Sequence, residues 1–344
     1  SLVAAALDTL AIIIGKGNIP AFSFNPVNAD SSWAGPTYNA VNRRFVPGGS
    51  SSGVATAVSA NFVVLGLAEE TMGSIQNPSA AQAIVGIKPT FGLVPNTGAV
   101  PIGGSTLDVL GPLARSVHDA AIMLDVMAGY NIADPKTIAS IGHVPEQGYA
   151  EGLSAASLSG NRIGLYGVAW AKRSLSPETD TLYQAAIAVL ENNGVKTVDN
   201  PFAETDFAGL SPTKGIVGIG SGQESMVFDL DRYFKHLGKE SPIDSFQTLV
   251  EKTGKNPFAK NGLLAEAWKF INASSEDLEA VEDIDFSTAT DNQRAIANAH
   301  LKKLRYPGVS VAPPDLSVFS HRQEKYLRLF NQVMMKHDLD ALVF

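Results

Sequence analysis

The sequence contains no cysteine among its 344 residues. That excludes a disulfide framework, a thiolate nucleophile and a thiolate metal site. Charge is sparse, at 17% of residues, and acidic side chains outnumber basic ones 34 to 26, for a net charge of −8. The basic residues are scattered, so no segment reads as a phosphate-backbone footprint, and nucleic acid is not expected as a direct ligand. Long apolar runs are missing too. Residues Ala11–Ile14 and Asn61–Ala68 are the longest stretches of that kind and are too short to cross a bilayer, which predicts a soluble, cytoplasmic protein without a membrane partner. The six histidines (His118, His143, His236, His300, His321 and His337) show no metal-ligand spacing, so no metal site is expected. A GxSxG elbow is absent, which disfavours an α/β-hydrolase triad. Internal repeats and low-complexity tracts are absent as well.

The residues that are present describe a globular protein, 45% hydrophobic, able to bury a large core. Apolar patterning alternates between helix and strand. A helix is predicted over Leu2–Ala11 and a short strand over Ile12–Ile14, followed from Pro20 to Ser52 by a loop rich in Pro, Gly, Asn and Ser. Gly53–Ala60 reads as a closely packed helix and Phe62–Leu67 as a central strand. Ser116 is placed to cap a helix over Val117–Gly129, and Ser176 to cap one reaching Asn193 with Pro177 in its first turn. Asn161–Gly167 reads as a strand. From residue 223 to 306 the pattern turns polar and amphipathic, a helical excursion within one α/β domain spanning 1–344.

Glycine and serine concentrate at two places. Pro47-Gly48-Gly49-Ser50-Ser51-Ser52-Gly53 precedes a helix, and Met72-Gly73-Ser74-Ile75 follows a strand. A glycine-rich loop exposes backbone N–H groups, and Gly73 lets the chain turn tightly enough to aim them at a developing oxyanion. Spacing alone leaves open a blander reading, a flexible turn and an ordinary strand-to-loop corner.

The ordered run from Pro47 to Asp134, comprising PGGSSSG, EETMGSIQNP, VGIKPTFGLVPNTGAVP, STLDVLGPLARSVHDAA and GYNIAD, closely resembles the amidase signature family. Weaker similarity continues through LSGNRIG, ENNGVKTV, QESMVFDLDRY and HDLDALV, and the Glu70-Thr71-x-Gly73-Ser74 and DLDRY forms look most similar to the peptide-amidase-like branch. The resemblance implies an α/β domain with a mixed central sheet and helices on both faces, with residues 47–134 as its signature core. It implies a serine amidase acting on a small-molecule amide, with no metal and no organic cofactor; homodimerisation is compatible with it. Ser74 matches the nucleophile, and Ser50, 24 positions earlier, matches a relay serine preceded by a cis non-proline peptide. The backbone N–H groups of Thr71, Met72, Gly73 and Ser74 match the oxyanion hole, while Gly48, Gly49, Ser51 and Ser52 support the loop. In the family the catalytic lysine lies upstream of the helix and strand that precede the GKGN element, here Gly15-Lys16-Gly17-Asn18, so the resemblance places it upstream of Ser1; Lys16 and Lys88 fall in family motifs that read as structural. Additional sequence is expected at both ends.

Three residues depart from the family pattern. Its usual Gly-Gly-Ser-Ile-Arg reads Met72-Gly73-Ser74-Ile75-Gln76, and its usual Asp reads Glu70. Gln76 lacks the charge of arginine, so the oxyanion loop is expected to be braced differently. Two other readings stand beside the amidase: the A subunit of a tRNA-dependent amidotransferase, which shares these motifs, and a non-catalytic binding protein that keeps the fold. Ser211-Pro-Thr-Lys214 with Lys252-Thr-Gly254 resembles elements of penicillin-binding hydrolases but lacks the SDN element. Gly218-Ile-Gly220-Ser-Gly222 is an incomplete dinucleotide pattern. The substrate-lining segments are expected to be the Phe22–Tyr38 loop and the helical stretch after Gly218.

Overall fold

The computed structural model describes residues 11–31, 33–154, 156–166, 175–210, 221–238, 240–254, 290–292, 295 and 313–344. The predicted helix over Leu2–Ala11 (apart from its last residue), the Ser211–Lys214 and Gly218–Gly220 elements and most of the helical excursion lie outside the described residues. In chain order the strands are β1 (Asp30–Ser31), β2 (Gly35–Pro36), β3 (Leu65–Glu70), β4 (Val85–Gly86), β5 (Val109–Ala114), β6 (Arg162–Leu165), β7 (Lys196–Asp199) and β8 (Ala341–Val343). The helices are α1 (Ser52–Ser59), α2 (Gln76–Ala81), α3 (Val117–Met127), α4 (Tyr149–Ser154), α5 (Pro177–Asn192), α6 (Met226–Leu237), α7 (Phe246–Thr253) and α8 (Ser317–His337). Contacts group the chain into two compact units, residues 1–154 with 222–315 and residues 155–221 with 316–344.

The first unit is built on an antiparallel sheet in the order β3-β5-β4. Alternation along β3 sends Gly66, Ala68 and Glu70 to one face and Leu65, Leu67 and Glu69 to the other. On the first face Ala68, Ile75 and Leu113 pack against Ala55 and Val58 of α1. On the second, Leu67 and Leu110 meet Leu124 and Met127 of α3. The Ser116 hydroxyl accepts from Asp119 N at 3.1 Å and caps α3, as its place before the apolar run predicts.

The second unit holds a parallel sheet in the order β7-β6-β8. Its core is aromatic: Tyr166 and Phe202 lie 4.6 Å apart by ring centroid, and Phe207 and Phe330 close around them. The Ser176 hydroxyl accepts from Thr179 N at 3.2 Å at the start of α5. The fold is α/β, with antiparallel and parallel pairing in separate sheets among the described residues.

Two element expectations need correction. Ile12–Ile14 is not a strand: it is exposed chain without regular secondary structure, because no neighbouring strand pairs with it among the described residues. The strand predicted over Phe62–Leu67 runs instead from Leu65 to Glu70. Asn61, at φ 63°, ends α1 in a left-handed turn, and the N–H groups of Phe62 and Val63 are consumed by Ala57 O.

Candidate active site

The Gly-Ser loop reaches the site because two of its residues lack a side chain. Gly48 has φ 73°, and a Cβ there would lie 2.6 Å from Pro78 Cα, so only glycine lets this backbone rest on the start of α2. The Gly49–Ser50 peptide is cis. Ser50 is buried. Ser51 N donates to Ser74 O at 3.4 Å, which sets the Ser50 loop against the second motif. The neighbouring hydroxyls are engaged: Ser51 Oγ donates to Glu69 O at 3.3 Å and Ser52 Oγ to Gly48 O. Ser51 therefore ties the loop to β3 and does not cap α1 through its side chain. Neither Ser50 Oγ nor Ser74 Oγ makes a hydrogen bond among the described residues, and none joins the two.

The turn after β3 is held at both ends. Glu70, fully buried, folds its carboxylate back so that Oε2 accepts from Ile75 N (2.9 Å) and Gln76 N (3.0 Å), while Oε1 accepts from Gln76 Nε2 (2.6 Å). At the other end Thr71 Oγ1 donates to Asp108 Oδ1 at 2.7 Å. Asp108 is itself fixed by Ile102 N (2.8 Å) and Gly103 N (2.9 Å). Between these anchors Gly73 takes φ 104°, and its carbonyl accepts from Asn77 N at 2.7 Å. The N–H groups of Met72, Gly73 and Ser74 have no acceptor among the described residues. An N–H left unpaired beside a half-buried hydroxyl is a donor available to an anion.

Sequence reasoning missed two carboxyl groups here, Glu69 and Asp108. Burial pushes the Glu69 carboxyl well above the ordinary range, and the charge of Asp108 and a hydrogen bond to it push the same way, with Lys136 opposing. Burial also raises Asp108, against the pull of its Thr71, Ile102 and Gly103 donors. Two consecutive acidic residues closing a strand were the available signal, since alternation must bury at least one of them.

A cleft of about 2120 Å³ opens in the same unit. Phe22, Tyr38, Leu67, Tyr233, Phe234 and Leu237 are among its apolar walls, with Ser51 and Glu69 on the wall as well. Residues of the Phe22–Tyr38 loop and of the stretch after Gly218 are among those lining it. Ser50 and Ser74 are not among the lining residues. Asn18 of the GKGN element is structural: its Nδ2 donates to Gly35 O and Thr37 Oγ1, both at 2.9 Å. No group of three or more His, Asp or Glu side chains arranged to hold a metal occurs among the described residues. None of the described helices is long and apolar enough to cross a membrane.

A family model described as Amidase matches residues 1–260. The chain belongs to the amidase signature family. This amidase-family chain is 37% identical over 248 residues to the A subunit of the glutamyl-tRNA(Gln) amidotransferase of Brachyspira hyodysenteriae, an alignment covering 72% of the chain and 50% of the relative. It is 38% identical over 189 residues to the protein of the same name from Lawsonia intracellularis, covering 55% and 38%. The chain therefore spans about half the length of the curated relatives it matches. Among solved structures it is similar to the native peptide amidase of Stenotrophomonas maltophilia, with a TM-score of 0.63 and 26% identity over 99% of this chain and 62% of that one. At the position where the family usually has arginine, Gln76 braces the turn by donating its side-chain amide and its backbone N–H to the Glu70 carboxylate.

Proposed function

We propose that this protein is an amide-bond hydrolase in which Ser74 is the nucleophile and Ser50 its proton relay. The observation that carries the reading is the Ser51 N to Ser74 O hydrogen bond, which brings the Ser50 loop to the Ser74 turn across 24 positions of sequence. Two features support it. Of the hydroxyls gathered there, those of Ser51, Ser52 and Thr71 are spent on hydrogen bonds, whereas those of Ser50 and Ser74 are not. The unpaired N–H groups of Met72, Gly73 and Ser74 are the donors an acyl-transfer oxyanion needs.

In this reading Ser74 Oγ attacks the amide carbonyl as its proton passes to Ser50 Oγ, whose own proton passes to a base. The tetrahedral oxyanion accepts from the Thr71–Ser74 backbone. Its collapse breaks the C–N bond, and the leaving ammonia or amine takes the proton from the base. Water, deprotonated by the same route, then hydrolyses the serine ester. We assign the base to a lysine carried by polypeptide outside this sequence, in keeping with relatives about twice as long as the matched region. The test is labelling of the full-length protein with a fluorophosphonate and a turnover screen across aliphatic, aryl and peptide amides. An adduct on Ser74 and release of amine are expected; a protein that neither labels nor turns over any amide removes this reading.

A second reading follows from the names of the curated relatives: one component of an amidotransferase, passing ammonia to a partner. Co-purification with two further subunits, with no amide hydrolysis by the isolated chain, decides for it.

A further inference from the structure

We propose that Glu69 is a positioning residue for the Thr71–Ser74 turn, acting through Asp108 as a carboxylic acid–carboxylate pair on the face of β3 opposite Glu70. The sheet register brings these groups together. Glu69 pairs with Leu110 and Glu70 with Val109, so the next position along would set Thr71 opposite Asp108. The 2.7 Å hydrogen bond between Thr71 and Asp108 shows that contact made. Glu69 and Thr71 share a face by strand alternation, which makes Asp108 the diagonal neighbour of Glu69.

The two carboxyl groups are provided for unequally. Asp108 takes Thr71 Oγ1 and Gly103 N on Oδ1, and Ile102 N and Gly103 N on Oδ2. Glu69 Oε1 is buried with no hydrogen-bond partner. Asp108 is buried and the Glu69 oxygen Oε1 is shielded from solvent, so two charges this close are unfavourable and one proton is shared between the two carboxyl groups. The charge rests on Asp108, where the donors are, and the proton rests on Glu69, which donates to Asp108. Burial, the charge of Asp108 and the hydrogen bond to it all hold Glu69 in its neutral form. Lys136 is the one cation acting on the pair among the described residues, and it is itself bonded to Gly104 O at 3.0 Å and paired with Asp134 at 3.5 Å. Helix α3 meets this face with the apolar Leu124 and Met127.

The consecutive acidic residues therefore divide the turn between them. Glu70 holds its Ile75–Gln76 end directly, and Glu69 holds its Thr71 end through Asp108. Ionisation of Glu69 would set two anions against each other and release Thr71, so the acid form is the one that supports the turn. The inference rests on the reading that this turn receives the oxyanion.

The experiment compares wild type, E69Q and E69L in the full-length protein by three readouts: the amide NMR resonances of Met72, Gly73 and Ser74, kcat and KM against pH, and the infrared band of a protonated carboxyl group. In E69L the three resonances are expected to broaden and kcat to fall about tenfold or more, with KM within about twofold. E69Q, which keeps a neutral donor, is expected to restore sharp resonances and most of kcat, to lose the protonated-carboxyl band and to remove the alkaline fall of kcat. Unchanged turn resonances in E69L, an E69Q variant as impaired as E69L, or an identical carboxyl band in wild type and E69Q each overturns the proposal. If E69L does not fold, E69Q and the carboxyl band decide alone. A wild type that hydrolyses no amide overturns the hydrolase reading, while the resonances still decide the role of Glu69.

Discussion

Glu70 and Gln76 are joined twice across the Thr71–Ile75 turn: one carboxylate oxygen accepts the Gln76 backbone N–H and the other its side-chain amide, at 3.0 and 2.6 Å. The carboxylate is buried, so these donors and Ile75 N are what make its charge tolerable. Glu70→Ala is expected to cost about 3 kcal/mol in urea unfolding, because it leaves orphaned N–H groups as well as a cavity. Gln76→Glu puts a second carboxylate where the amide donates and is expected to destabilise more than Gln76→Ala. Gln76→Arg is expected to match or exceed wild type, since it supplies both a donor and a countercharge. A Gln76→Glu variant as stable as wild type would show that the brace is not electrostatic.

Covalent labelling separates the two serines. Ser74→Ala is expected to abolish the fluorophosphonate adduct and to lower turnover by about four orders of magnitude or more. Ser50→Ala is expected to fold, keep a slow adduct on Ser74 and acylate about a hundredfold more slowly or worse. Peptide mapping of the adduct and stopped-flow burst kinetics check both; an adduct that persists in Ser74→Ala moves the nucleophile elsewhere.

Two glycines separate backbone strain from close approach. Gly35 and Gly48 have similar positive φ, 66° and 73°, but a Cβ at Gly35 meets nothing within 4 Å, whereas one at Gly48 lies 2.6 Å from Pro78 Cα. Gly35→Ala is expected to cost about 1–2 kcal/mol from the left-handed conformation alone. Gly48→Ala adds displacement of the loop against α2 and is expected to cost about 2 kcal/mol more. Equal denaturation midpoints for the two variants would show that the loop gives way freely.

Glu69 gives stability a particular pH dependence. Its carboxyl is raised in the folded protein above the ordinary value of 4.5, so between that value and the folded one the native state binds more protons than the unfolded state. Stability is then fully present below about 4.5 and declines as pH rises through the raised value. Glu69→Gln removes this slope while leaving that of Asp108. Thermal melts of the two proteins from acid to alkaline pH should therefore show wild type falling progressively relative to the variant. A constant difference across the range would place Glu69 as an ordinary, ionised carboxylate.

The sequence by itself determined the features whose physics is local. Ser116 and Ser176 were legible as helix caps because the donors they satisfy lie three residues away. The two glycine-serine motifs were legible because positive φ and close backbone approach restrict residue type strongly. Tertiary structure alone decided whatever depends on a partner distant in sequence. Ile12–Ile14 has a strand's composition but no paired strand among the described residues, and the start of β3 was set by the turn that ends α1. The alliance of Thr71 with Asp108, 37 positions away, depends on the β3–β5 register. A run of two glutamates declares that one is buried; only the register, which sets what lies across the strand, made one a charged brace and gave the other a carboxylate for its neighbour.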